Sequence, residues 1–274
     1  MVESTEFALA FGQPPIVETR LGVQFTPLLN FKAVHYGIFL KEFLVDSEGW
    51  RILPDQPSSP PEMERFGIKV LNPTVEQPES HLPGTCVRVA SRDGSRKILF
   101  QPNKLTFGWN REKEACIPFA EVKTHFDDVF EKFEAFAAEW KLGTPVVNLW
   151  EIAYVNKIPA GELWSTPSDW HRVLPGLFTP NGPQILGHEW GTFNGTWYFE
   201  IPPERGRVRV QVQKAVANQT DELVMLLVIT ARGEIGGSGV QDWSTGLNLG
   251  HQSALRAFYD LASPEAKQKW GIRS

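Results

Sequence analysis

IPFAEVKTHFDDVFEKFEAFAAEWKLGTPVVNLWEIAYVNKI, residues 117–158, is the stretch around which the chain is organised. Phe119, Val122, Phe126, Phe130, Phe133, Ala137 and Trp140 recur at intervals of three and four, which is one face of an α-helix. Glu121, Lys123, Asp127, Asp128, Glu131, Lys132, Glu134 and Glu139 take the opposite face. Lys141-Leu142-Gly143 supplies a C-terminal stop, and the run from Pro145 reads as a buried strand. A long amphipathic helix that turns straight into a strand reads here as a join, because the elements on its two sides come in the same order.

Before the join, Pro14-Pro15 opens a strand over Ile16–Phe25, in which Val17, Thr19, Leu21, Val23 and Phe25 alternate with Glu18, Arg20 and Gln24. Asn30 is placed to cap a helix over Phe31–Phe43. Trp50–Leu53 reads as a short strand. Pro54–Pro83, rich in Pro, Ser and Glu, reads as a surface excursion with a small strand at Ile68–Leu71. Strands follow at Cys86–Ser91, Lys97–Pro102 and Lys104–Asn110, the first two joined by SRDGSR with its Asp-Gly hairpin signal.

After the join, Val146–Ile158 matches the opening strand, and a short helix starts at Ser168-Asp169-Trp170. Ile185–Phe193 is expected to turn at Asn194-Gly195 into Thr196–Ile201; Arg207–Val216 and Glu222–Arg232 are further strands. A last helix spans Leu247–Leu261, and Ser263-Pro264-Glu265 begins one more turn. Aligned by stripe, Val122, Phe126, Phe130 and Phe133 correspond to Leu247, His251, Leu255 and Phe258.

The expected fold is therefore α+β: a tandem duplication of a strand–helix–three-strand–helix unit. Its curved antiparallel sheet or sheets carry the long helices on one face. Residues 1–13 are read as a flexible arm, 14–142 as the first half and 143–274 as the second, the halves packed closely enough to be one domain.

Composition narrows the functional classes. Ten Trp and 18 Phe against four Tyr suit a core of large rings, and a net charge of −5 argues against non-specific binding to nucleic acid or an anionic membrane. Cys86 and Cys116 stand far apart with no ligand cluster, so no metal and no cofactor is expected. The N-terminus lacks a basic, apolar leader pattern and no apolar run is long enough to span a bilayer, from which a cytoplasmic protein is expected. GxSxG, HExxH, Walker and post-strand GxGxxG patterns are missing, and Gly233–Gly239 lacks the P-loop lysine, so an enzyme is not favoured.

Among single residues, His251 falls on the apolar stripe of the last helix, where its two ring nitrogens need partners away from bulk water. It reads as a core histidine or as one facing a ligand or partner, and Asp242, Trp243 and Asn248 precede it closely enough to converge on the same spot. Glu18, Arg20 and Glu151 mark a polar sheet face, either merely solvated or lining a groove. Arg207 and Arg209, with the basic residues Arg88, Arg92, Arg96 and Lys97 and the rings of Trp109, Trp190 and Trp197, form the kind of set that neutralises phosphates and stacks bases.

PPIVETRLGVQF, ILFQPNKLTFGW, the helix with Phe126, Phe130 and Phe133, and GHQSALRAFYDLASPEAKQKWG together resemble a sporadically distributed family of uncharacterised bacterial proteins. The resemblance covers nearly the whole chain and implies a bacterial or archaeal cytosolic protein, but carries no catalytic residues over. The patchy distribution suits mobile elements, with defence or toxin-neutralising modules among them. The function expected is a non-enzymatic binding protein that engages a protein partner. A small-molecule pocket between sheet and long helix, and a nucleic-acid-binding sheet face, are the alternatives.

Overall fold

The computed structural model of the chain describes residues 12–44, 49–58, 85–111, 117–180, 193–217, 221–237 and 239–273. The elements run β1 (Ile16–Phe25), α1 (Ala33–Phe39) with a π turn over Leu40–Leu44, β2 (Arg51–Pro57), β3 (Thr85–Ala90), β4 (Arg96–Gln101), β5 (Lys104–Asn110) and α2 (Phe119–Glu139). Then come β6 (Val147–Pro159), a 3-10 helix over Pro167–Arg172, β7 (Asn194–Ile201), β8 (Gly206–Val216), β9 (Leu223–Glu234), α3 (Trp243–Leu261) and α4 (Pro264–Lys269).

Among the described residues the strands form one nine-stranded sheet in the order β2-β3-β4-β5-β1-β6-β9-β8-β7. Every pairing is antiparallel. The opening strand of each half, β1 and β6, pair at the centre, and outward from them each half runs back from its last strand: β5, β4, β3 on one side and β9, β8, β7 on the other. The class is α+β with a single antiparallel sheet.

Because side chains alternate along a strand, the register sorts them onto two faces. Leu21 lies opposite Ile152 and Phe107, Phe107 opposite Ile98, Ile152 opposite Ala231, and Ala231 opposite Val208. These residues share the face that meets the helices. Phe133 of α2 stands 5.2 Å from the ring of Phe25 and 4.9 Å from that of Phe100. On the same face His125 stacks on Trp109 with centroids 5.8 Å apart. In the second half, α3 lies so close to Trp150 that a Cβ on Gly246 would stand 2.3 Å from the indole and one on Gly250 2.5 Å. The N-terminal end of α3 meets the middle of α2, where Phe126 and Phe130 make edge contacts with Trp243 at 5.6 and 5.3 Å.

Local chemistry shifts several expected boundaries. α1 begins after Lys32, not Asn30, because the Asn30 amide is spent on the Lys141 carbonyl at 3.2 Å while His35 Nδ1 accepts from the Lys32 backbone N–H at 2.8 Å. Asn194 and Gly195 are not a turn: both belong to β7, paired with Gln213 and Val212. Trp140 leaves the buried stripe and is 39% exposed. The backbone there closes a Schellman motif, with Lys141 N bonded to Ala138 O at 3.1 Å and Leu142 N to Ala137 O at 2.9 Å. Lys141 holds the left-handed position at φ 52°, and Leu142, not Trp140, goes into the core. Asp93 ties the β3–β4 turn by accepting from the Ser91 hydroxyl and the Ser95 backbone, which holds its carboxyl down to about 2. Of the expected arm, Gly12 and Gln13 donate to Gly271 and Trp270. The expected strand at 68–71 and nearly all of that at 185–193 lie outside the described residues.

Candidate functional site

The sheet contacts of α2 and α3 fall on the face that holds Phe25, Phe100 and Trp150, which leaves the opposite face free of both long helices among the described residues. The register writes out that free face row by row. One row runs Arg88, Leu99, Thr106, Gly22, Glu151, Arg232, Arg207, Glu200 from β3 to β7. The next runs Lys97, Gly108, Arg20, Ala153, Thr230, Arg209, Tyr198 from β4 to β7. Their basic residues are Arg20, Arg88, Lys97, Arg207, Arg209 and Arg232, against Glu151 and Glu200. A chain of net charge −5 thus concentrates cations on this surface.

Small residues set the floor. Gly108 seats the Glu18–Arg20 pair: a Cβ there would stand 3.2 Å from Glu18 Oε1 and 3.8 Å from Arg20 Cγ. Arg20 Nη2 donates to Glu18 Oε2 at 2.6 Å, and that bond holds the guanidinium further above its ordinary value. Lys104 pairs with Gln24, one row along from the Thr106–Gly22–Glu151 row, and its Nζ reaches diagonally past Gly22 to Glu151 Oε1 at 3.3 Å, joining β5 to β6. Arg232 approaches the other carboxylate oxygen at 3.7 Å. The side chains of Lys104, Glu151 and Arg232 are 14%, 16% and 14% exposed, so these ions are partly withdrawn from water. Burial pushes Arg232 below its ordinary value.

Arg209 sits in the second row, beside Tyr198. Its Nε is buried and has no hydrogen-bond partner among the described residues, and Thr230, next to it in the row, is 2% exposed. A guanidinium fork in that setting is suited to a planar, bidentate anion. Arg207 lies along the same strand, 4.0 Å from Glu200 and over the ring of Tyr198. Glu18, Arg20, Glu151, Arg207 and Arg209 are therefore brought onto one surface.

The remaining candidates are not part of it. Trp109 points to the helix face, 6% exposed under His125, so its ring forms no stacking platform beside Arg207 and Arg209; Trp197 shares that parity and packs on Phe178. Trp190 lies outside the described residues. Asp242 caps α3, accepting from Thr245 N and Oγ1 at 2.8 Å each, and those bonds hold its carboxyl below the ordinary range. Trp243 is wedged between the long helices under Lys123, and Asn248 is exposed.

His251 has a settled local role. Its Nδ1 shares a 2.6 Å hydrogen bond with the Tyr154 hydroxyl, and its ring stacks on Phe119 at 4.0 Å and 6°. Burial pushes its pKa down to about 4, so near neutrality the ring is uncharged. A small cavity lined by Ile16, Tyr154, Asn156, Ile229, Ala254 and Phe258 has room for roughly one water molecule. Nothing in the sequence marks Tyr154 as the partner of His251, from which it is 97 positions away.

Among the described residues no group of three His, Cys, Asp or Glu is placed to hold a metal ion, and no helix is long and apolar enough to cross a membrane. No protein-family model and no curated protein matches the chain.

Proposed function

We propose that the chain is a non-enzymatic binding protein whose helix-free sheet face engages an acidic surface of a protein partner. One observation carries this: a broad sheet face rich in cations, with the Arg209 Nε buried and without a hydrogen-bond partner among the described residues. Desolvated, fork-shaped donors favour carboxylates already fixed on a folded surface, where two N–H bonds can form at once. Single-stranded nucleic acid is less suited, because Trp109 and Trp197, two of the rings that would stack bases, lie on the opposite face. The size of the cavity beside Tyr154 weighs against a small-molecule site at that point.

The symmetrical strand order about β1 and β6 and the common offset of the α2 and α3 stripes support descent of both halves from a duplicated unit. On this reading the join of the two copies builds the site, since Gly22, Arg20 and Glu151 all lie on the central strand pair. The setting proposed is cytoplasmic, and a neutralising role toward a protein encoded nearby fits the resemblance to a sporadically distributed family. The test is mild affinity purification from the native host followed by native mass spectrometry and the 260/280 nm absorbance ratio. A stoichiometric second protein that is lost with Arg209→Glu supports the reading. A nucleic-acid absorbance excess, or a bare chain carrying only a small adduct, contradicts it.

A further inference from the structure

The exposed apolar residues include a cluster remote from the cationic face. Leu29, Val34, Trp140 and Val146 are 95%, 62%, 39% and 60% exposed. Three separate contacts hold their segments together. Asn30 Nδ2 bonds to the Lys141 carbonyl at 3.2 Å, Thr26 N donates to Val146 O at 2.9 Å, and the His35 ring stands 6.0 Å from that of Trp140. Single exposed apolar side chains are ordinary, but four on segments tied together around a tryptophan that leans on buried Phe136 have the form of an interaction anchor.

Lys32, Lys41 and Lys141 are exposed on the same segments, and none of them forms an ion pair among the described residues. Against them stand Glu42 and Glu139, also exposed. At the middle of the cluster the charge that bears on the His35 ring is that of Lys32. The rim is basic where it meets the apolar surface.

We propose that Leu29, Val34, Trp140 and Val146 form a second docking surface, for a protein segment that presents one large apolar side chain flanked by acidic residues. The apolar side chain covers Trp140 and Leu29 and the flanking carboxylates meet Lys32 and Lys141. This site stands apart from the sheet face and does not depend on it.

The test is selection of phage-displayed random dodecapeptides on the full chain, with affinities of the enriched peptides measured on variants. The expected result is enrichment of sequences with an aromatic or aliphatic residue between Asp or Glu, whose affinity falls about tenfold or more with Trp140→Ala and with Leu29→Ser. The same peptides should bind Arg209→Glu unchanged, which separates this surface from the sheet face. Leu29 is 95% exposed, so unaltered thermal melting is expected of Leu29→Ser and serves as the folding control, while Trp140→Ala, which truncates a ring 39% exposed, is expected to keep a cooperative melt at a somewhat lower temperature. Absence of enrichment overturns the proposal, as does acidic-peptide binding that ignores Trp140→Ala. Trp140-dependent flotation with phosphatidylserine vesicles, without peptide enrichment, would assign the patch to a membrane and overturn it equally.

Discussion

The sheet is filled in opposite ways under its two long helices. Under α2 the space is taken up by rings: Phe25, Phe39, Phe100, Phe126, Phe130, Phe133 and Phe136, each at most 1% exposed. Under α3 the helix comes down onto the sheet instead. Gly246 and Gly250 leave no side chain, Ala254 stands where α2 has Val129, and one ring, Trp150, fills the gap. Gly206 and Gly233 close round the same indole from β8 and β9, where an added Cβ would lie 3.0 and 2.8 Å from it. One topology thus accepts either volume added from the helix or volume added from the sheet, provided the sum is right.

That contrast predicts opposite sensitivities. The largest effect is expected in the first half from lost volume: Phe133→Ala, at 0% exposure between Phe25, Phe39, Phe100 and Phe130, should cost about 3–5 kcal/mol in urea unfolding. Next comes added volume in the second half. Gly250→Ala would place a Cβ 2.5 Å from Trp150 and 2.6 Å from Ile152, and should cost about 1–3 kcal/mol. A Trp150→Leu background should relieve much of that penalty. If Gly250→Ala proves neutral on its own, the close approach of α3 is wrong.

A smaller effect separates Phe126 from its counterpart His251. Phenylalanine at 251 would remove the hydrogen bond to the hydroxyl of Tyr154, a residue 7% exposed, at a cost of about 1–3 kcal/mol. Tyr154→Phe in the same chain should recover most of the loss. The pH dependence has a definite sign. In the folded chain His251 resists protonation until about pH 4, whereas unfolded histidine takes up a proton near pH 6.5. The unfolded state therefore binds more protons between those values, and acidification through that window should destabilise the wild type. The His251→Phe/Tyr154→Phe pair should lack this component, and chemical unfolding at pH 7 and pH 4.5 measures it. Equal pH slopes for both proteins would show that His251 is not held neutral.

Periodicity made much of the fold legible. Intervals of three and four in α2 and alternation in β1 and β8 are local signals, and the boundaries they imply agree with the structure to within a few residues. Alternation also marked Glu18, Arg20, Arg207 and Arg209 as polar-face residues. What it could not supply is which strand of each half pairs across the centre, because β1 and β6 are distant in sequence and both have two apolar-tolerant edges. Trp109 was misjudged for the same reason: its place opposite Thr19, on the helix face, is a matter of register and not of composition. The Tyr154–His251 bond joins residues 97 positions apart and has no sequence signature at all.

The proposed function rests on a contrast between the two sheet faces, one meeting α2 and α3 and one carrying charge. The most direct test of that claim is the salt dependence of partner binding by the wild type and by Arg209→Glu, with the partner recovered from the native host. The account predicts binding that weakens steeply as salt rises and that is reduced at least tenfold by Arg209→Glu without loss of thermal stability. Equal affinity and an equal salt slope for the two proteins would show that the cationic face is only a solvated surface.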